Sequence, residues 1–229
     1  MIDLRLGRWQ EVLADVGEVD AVITDPPYSA RTHEGSDGAV GRSGDGAIRQ
    51  VLGYGAWSDD DVAAFVAALA PRTRSWFCAL TDDILIPAWR AAFRESGRYD
   101  FAPVPVLQHR PRLTGDGPAS CAIYLVASRP RERRFAQWGS LPGWYEAPPE
   151  RGAAVMGAKP IGLMRAIVRD YSRPGDLICD PCAGGATTLI AAAMEGRRAV
   201  GSEMDPKTYA LAQARIAKGH TPDMFSGQQ

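Results

Sequence analysis

Short apolar runs of strand character alternate with helix-length stretches along most of this chain. That rhythm constrains the fold more than any other feature. Strands separated by helices close most readily into a parallel sheet with helices on both faces. Strands are predicted at 2–6, 21–24, 75–80, 104–107, 121–126, 177–179 and 198–202. Helices are predicted at 9–16, 59–69, 84–96, 161–171, 187–195 and 206–218. Ser58 reads as an N-cap, and Pro206 suits a first helical turn. Two segments break the pattern. Residues 29–56 hold seven glycines between Gly35 and Gly55. So long a stretch without periodicity reads as a functional loop or a disordered one. Residues 135–158 read as irregular.

With 229 residues, 45% hydrophobic and 23% charged, the chain fits one buried α/β domain and excludes a disordered or fibrous class. No apolar run approaches the roughly 18 residues of a membrane span. No basic segment leads into an apolar stretch at Met1–Leu6. The expectation is a soluble cytoplasmic protein without a membrane partner, its four scattered cysteines reduced. Net charge is −1, but its distribution is uneven. Residues 1–61 carry 12 acidic and 5 basic side chains, whereas 90–134 carry 9 arginines against 4 acids. The basic block reads first as a solvated face and second as a surface for a phosphate backbone.

Two loops at strand ends carry chemistry, where ligands bind in such folds. In Asp180-Pro181-Cys182-Ala183-Gly184-Gly185-Ala186-Thr187-Thr188 a strand runs through a Gly-Gly turn into an apolar helix. Glycines let a ligand approach the backbone, and the helix start offers free N–H groups. The endings of a phosphate-binding P-loop and of a dinucleotide fingerprint are both missing, which disfavours a nicotinamide oxidoreductase. Glu203, at the end of the next strand, suits ribose hydroxyls, so a nucleoside-containing cofactor is the economical reading. In Asp25-Pro26-Pro27-Tyr28, two prolines stiffen the chain and remove two donors. Asp25 and the Pro26 carbonyl can accept both hydrogens of an exocyclic amino group. Tyr28 can stack on the ring of a base flipped out of a duplex. Acceptors there stabilise positive charge developing on the nitrogen. An ordinary turn is the plainer alternative for the tetrapeptide alone.

Together these segments resemble the β-class S-adenosylmethionine-dependent DNA amino-methyltransferases. Asp25-Pro26-Pro27-Tyr28 is similar to their catalytic motif, and 180–188 to their cofactor loop Asp-Pro-Phe-x-Gly-x-Gly-Thr-Thr. Lys159-Pro160 with Leu163 resembles the Lys-Pro-x-x-Leu segment, and Gly201-Ser202-Glu203-Met204-Asp205-Pro206 the acidic motif that follows. The order, catalytic motif first, implies a circularly permuted Rossmann-like methyltransferase in which strand 2–6 lies beside the strand ending at Glu203. It implies S-adenosylmethionine as cofactor and double-stranded DNA as partner. Asp25, Pro26, Pro27 and Tyr28 would be catalytic. Lys159, Pro160, Leu163, Asp180, Pro181, Cys182, Ala183, Gly184, Gly185, Thr187, Thr188, Glu203, Met204 and Asp205 would bind cofactor. Cys182 stands where the family has Phe, Ala186 where it has Gly, and Gly7-Arg8 where it has Gly-Asp. The Asp form of the catalytic motif favours adenine N6, with cytosine N4 second. A non-catalytic binding module is the reading from another class.

The resemblance further implies one methyltransferase domain over 1–229, a substrate loop at 29–56 and a reduced target-recognition region at 127–158. So short a region implies a loose target, a homodimer or a helper protein, in the setting of DNA methylation and restriction–modification. Arg31, Arg42, His109, Arg110 and Arg112 are the DNA-contact candidates. Cys179-x-x-Cys182 has zinc-like spacing but no second Cys/His pair nearby, so no metal is assigned. Trp138, Trp144 and Tyr145 read as covering a core edge.

Overall fold

The computed structural model describes residues 1–32, 55–112, 116–131, 138–148 and 158–219, with the side chains of 110–112 excepted. The chain runs β1 (Ile2–Leu6), α1 (Trp9–Val12), β2 (Ala21–Thr24), α2 (Asp59–Leu69), β3 (Phe77–Thr81), α3 (Ile86–Glu95), β4 (Arg98–Asp100), β5 (Val104–Arg112) and β6 (Ser120–Pro130). It continues with β7 (Tyr145–Ala147), α4 (Ile161–Tyr171), β8 (Leu177–Asp180), α5 (Thr187–Met194), β9 (Arg198–Glu203) and α6 (Pro206–Ala217). The strands form one sheet in the order β1-β9-β8-β2-β3-β6-β5-β7, with β4 also paired to β6. Neighbours from β1 to β3 are parallel, as are β5 and β7; β6 runs antiparallel to β3, β4 and β5. The expected mainly parallel α/β sheet holds.

Strand alternation builds a core on each face. On β2 and β3, Ile23, Cys78 and Leu80 pack with α4 and α5 through Ile167 and Leu189. Their neighbours Val22, Phe77 and Ala79 pack with α2 and α3 through Phe65 and Trp89. The second core is aromatic: Phe65 meets Trp9, Trp57 and Trp89 edge-on at 5.1, 4.9 and 6.0 Å. A full capping box starts α2. The Ser58 hydroxyl accepts from the Asp61 N–H, and the Asp61 carboxylate accepts from the Ser58 N–H at 2.9 Å.

As the permuted order requires, β1 lies parallel to β9, Ile2 opposite Ala199 and Leu6 opposite Glu203. Among the described residues no helix is long and apolar enough to cross a membrane.

Several expectations need correction. The first helix stops at Val12 rather than Val16. The short strands β4 and β7 were not predicted, and β7 lies inside the stretch read as irregular. Finally, the basic block is only in part the solvated face expected, with Arg94 and Arg131 exposed. Arg98 is buried, and Arg90 and Arg94 both hold Asp100 at 2.8 Å. Arg129 lies over the Tyr99 and Phe101 rings. The aromatic expectation divides: Tyr145 is buried and Trp138 packs edge-on against Trp76, but Trp144 is exposed.

Candidate active site

The sheet reverses its winding between β2 and β8. After β2 the chain proceeds to β3 on one side, and after β8 to β9 on the other. Ligands of open α/β sheets settle beyond the strand ends at such a switch point. Both unusual loops leave from there. Thr24, the last residue of β2, donates its hydroxyl to Asp180 Oδ1 at 2.7 Å, and the Cys182 N–H donates to the same oxygen at 3.1 Å. The side chain that ends β8 is thereby bonded to the residue preceding Asp25.

Asp25 is partly buried, with both carboxylate oxygens engaged. Oδ1 accepts from the Tyr28 hydroxyl at 2.9 Å and Oδ2 from Lys159 Nζ at 2.5 Å. The ammonium also lies 5.1 Å from the Tyr28 ring centroid. A cationic nitrogen donating to Asp25 while facing Tyr28 has the donor chemistry of an amino group gaining positive charge. Lys159, expected over the cofactor, thus belongs to the same cluster as Asp25. Pro26 is buried and Pro27 half-buried, so the turn is held from both sides.

The other loop is tied to β9. The Ala183 N–H donates to the Ser202 carbonyl at 2.9 Å, and the Ser202 hydroxyl to the Pro181 carbonyl at 2.7 Å. Gly184 (φ 50°) and Ala186 (φ 62°) are left-handed, and Ala186 opens α5. The family's glycine at 186 thus falls on a position that strains an L-residue by about 1–2 kcal/mol. A second glycine requirement was not anticipated. A Cβ on Gly201 would lie 2.5 Å from the Asp180 carbonyl oxygen. Only glycine lets β9 approach β8 at the loop.

Glu203 closes this half of the site. Burial raises its carboxyl above the ordinary range, although backbone N–H groups of Asp205, Met204 and Gly184 donate to it. Asp205 instead caps α6, accepting from the Thr208 N–H and hydroxyl, each at 2.8 Å. Met204 is exposed. Thr187 is buried, its hydroxyl accepting from Arg215 at 3.2 Å; Arg215 also donates to the Gly185 carbonyl. Leu163 is buried in the core and, with Pro160, also lines a shallow pocket against Tyr145 and Glu146. Burial pushes the Cys179 thiol up to about 12 and the Cys182 thiol well above its ordinary value, so both stay neutral. Among the described residues no group of three His, Cys, Asp or Glu is placed to hold a metal.

Burial raises the Asp180 carboxyl to about 6, against the lowering effect of bonds from Thr188, Thr24 and Cys182. The sign follows from linkage. A carboxyl that holds its proton more tightly when folded loses stabilising effect as pH rises from about 4 to about 6. Over that range the swing is ~3 kcal/mol. Asp180→Asn removes that titration. Urea midpoints at pH 4 and 7 should therefore show the variant gaining on wild type by up to that amount at the higher pH. A difference independent of pH refutes the assignment.

Of the proposed DNA contacts, Arg31 is exposed just past Tyr28. His109 Nε2 faces Glu146 Oε2 at 3.8 Å. Arg42 and the side chains of Arg110 and Arg112 lie outside the described residues. Sequence reasoning missed Asp82, which is buried just past β3 and bonded to the chain beyond Tyr28. An acid following a predicted parallel strand was its one available signal.

Residues 129–214 match the DNA methylase family, which bears out the likeness read from the motifs. The match takes in 159–163, 180–188 and 203–205 but not Asp25–Tyr28. The type II methyltransferase M.MthZI of Methanothermobacter thermautotrophicus is 41% identical over 59 residues, 26% of this chain and 17% of that protein. The chain aligns with about a quarter or less of the length of its curated relatives. The crystal structure of M1.HpyAVI with SAM superposes at a TM-score of 0.70 and 17% identity, over 94% of this chain and 99% of that one. The cytosine-N4-specific PvuII DNA methyltransferase does so at 0.66 and 15%, over 94% and 86%. At these identities the structural likeness is one of fold.

Proposed function

We propose, from the DNA methylase match and a fold shared with DNA methyltransferases, that this chain methylates the exocyclic amino group of a base in DNA, adenine N6 first. S-adenosylmethionine would supply a methyl group on a sulfonium, open to in-line attack by the amino nitrogen without a covalent enzyme intermediate, the C–S bond breaking as the N–C bond forms so that a neutral thioether leaves and the nitrogen gives up a proton to solvent. The residues present fit that group. Glu203 offers a half-buried carboxylate at a strand end, suited to ribose hydroxyls. The left-handed turn at Gly184–Ala186 opens helix α5, and 181–185 with Asp180 would lie along the methionine part.

On the substrate side, Asp25 and the Pro26 carbonyl would hold the amino hydrogens and orient the nitrogen lone pair. The carboxylate would stabilise the positive charge that develops there. Tyr28 would carry the ring, its hydroxyl steadied by Asp25. Lys159 would yield its place on Asp25 Oδ2 to the incoming amino group.

The observation that carries the proposal is the hydrogen bond from Thr24 to Asp180, which joins the strand feeding Asp25 to the strand feeding 181–185. The amino-group site and the cofactor loop therefore share one switch point. The test is methyl transfer from labelled S-adenosylmethionine to duplex DNA of mixed sequence, followed by nucleoside mass spectrometry. N6-methyladenine is expected. N4-methylcytosine would keep the mechanism and correct the base. Cofactor binding without transfer to any DNA would overturn the proposal.

A further inference from the structure

The Asp82 carboxylate is buried at the carboxyl end of β3, one strand over from Asp25. One of its oxygens is explained locally: Oδ1 accepts from the Leu85 N–H at 3.2 Å, a short-range turn before α3. Oδ2 is not local. It accepts from the Ser29 N–H at 3.0 Å, the Ser29 hydroxyl at 2.5 Å and the Thr32 hydroxyl at 2.6 Å. All three donors lie 50 or more residues away, within four residues of Tyr28. Burial alone would raise this carboxyl, but the bonds from Ser29, Thr32 and Leu85 outweigh it and hold the group below its ordinary range. A buried carboxylate satisfied by that many directed donors is an orienting device.

The other side of Tyr28 is held as well. The Trp57 N–H donates to the Tyr28 carbonyl at 3.0 Å, and Trp57 is itself wedged against Phe65 and Trp89. Tyr28 thus stands between two fixed points: Asp82 grips the chain leaving it, and Trp57 grips its carbonyl from the chain returning.

Resting on the function proposed above, we propose that Asp82 is a positioning residue, which sets the Tyr28 ring and the Asp25 carboxylate against the incoming base through Ser29 and Thr32. It touches neither base nor cofactor. Its loss acts on the substrate half of the site and spares the cofactor half, which is anchored on β8 and β9 instead.

Three variants test this: Asp82→Ala, Asp82→Asn and the double variant Ser29→Ala with Thr32→Val. A misplacement of about 1 Å at a reacting centre costs on the order of 100-fold. Asp82→Ala should therefore lower kcat ~100-fold while the affinity for labelled S-adenosylmethionine stays within about threefold. Asp82→Asn keeps one acceptor oxygen toward Ser29 and Thr32 and should recover kcat to within ~10-fold of wild type. The double variant, which leaves β3 and α3 untouched, should lose ~10-fold and decides the matter if Asp82→Ala does not fold. Trypsin cleavage after Arg31 should accelerate in Asp82→Ala and in the double variant. Unchanged kcat, or cofactor affinity falling in step with kcat, overturns the proposal. A wild type that methylates no DNA overturns the function proposed above, and trypsin then still decides the clamp: cleavage at the wild-type rate in both variants refutes it.

Discussion

Asp25→Ala should lower methyl transfer by ~1000-fold while leaving cofactor affinity close to wild type. The magnitude is that of removing one preorganised partner of a developing charge, which costs roughly 100- to 1000-fold in kcat. The upper end applies because Asp25 is a partly buried charged acceptor, its carboxylate about one-quarter exposed. Some stability should go as well. The pair Asp25 makes with Lys159 is short and largely buried, with side chains 23% and 13% exposed, and removing one partner of such a pair costs more than at an open surface. Asp25→Asn separates geometry from charge. It keeps an acceptor oxygen and should fall between alanine and wild type. Parallel kinetics on one DNA preparation, with labelled cofactor binding measured separately, check the set. If alanine costs less than tenfold, Asp25 is not the acceptor for the reacting amino group.

The parts legible in the sequence were those with a local signature. Strands β2, β8 and β9 announced themselves as apolar runs ending at Asp25, Asp180 and Glu203. The resemblance carried by the segments they feed implied the permuted order, and with it β1 beside β9. What escaped was set by distant partners. Three-residue strands such as β4 and β7 are too short to show a period, and exist because β6 and β5 present open edges to them. Asp82 looked like one more polar residue between a strand and a helix, since its donors lie far upstream. Gly201 has an ordinary strand sequence around it; its need for glycine comes from the Asp180 carbonyl on the next strand. The arginines of 90–134 misled for the same reason. Charge is visible in a sequence, but whether a guanidinium meets solvent, an acid or a ring of carbonyls is decided by the sheet.

Arg98 is the extreme case, and its loss should be the costliest for the fold. The side chain is buried at the start of β4. It donates to the Ser128 hydroxyl at 2.9 Å, the Ser128 carbonyl at 3.2 Å, the Thr73 carbonyl at 3.1 Å and the Ser75 carbonyl. One guanidinium therefore joins β4, β6 and the turn that enters β3. Burial lowers its pKa to about 10, still far enough above neutral for the charge to remain. Arg98→Ala removes these four bonds together and leaves a cavity of nearly a whole side chain. A buried acceptor that loses its donor costs about 1–3 kcal/mol, and truncating a large buried side chain adds a cavity cost of similar size. A loss of ~4 kcal/mol corresponds to a fall in melting temperature of about 10 °C in a chain of this size. Arg98→Lys retains the charge but cannot span the four acceptors on β6 and on the turn before β3, because an ammonium lacks the planar fork. It should recover less than half of the loss. Melting curves and urea midpoints at neutral pH decide it. A lysine variant as stable as wild type would show that the buried charge, and not the directed fork, holds these strands together.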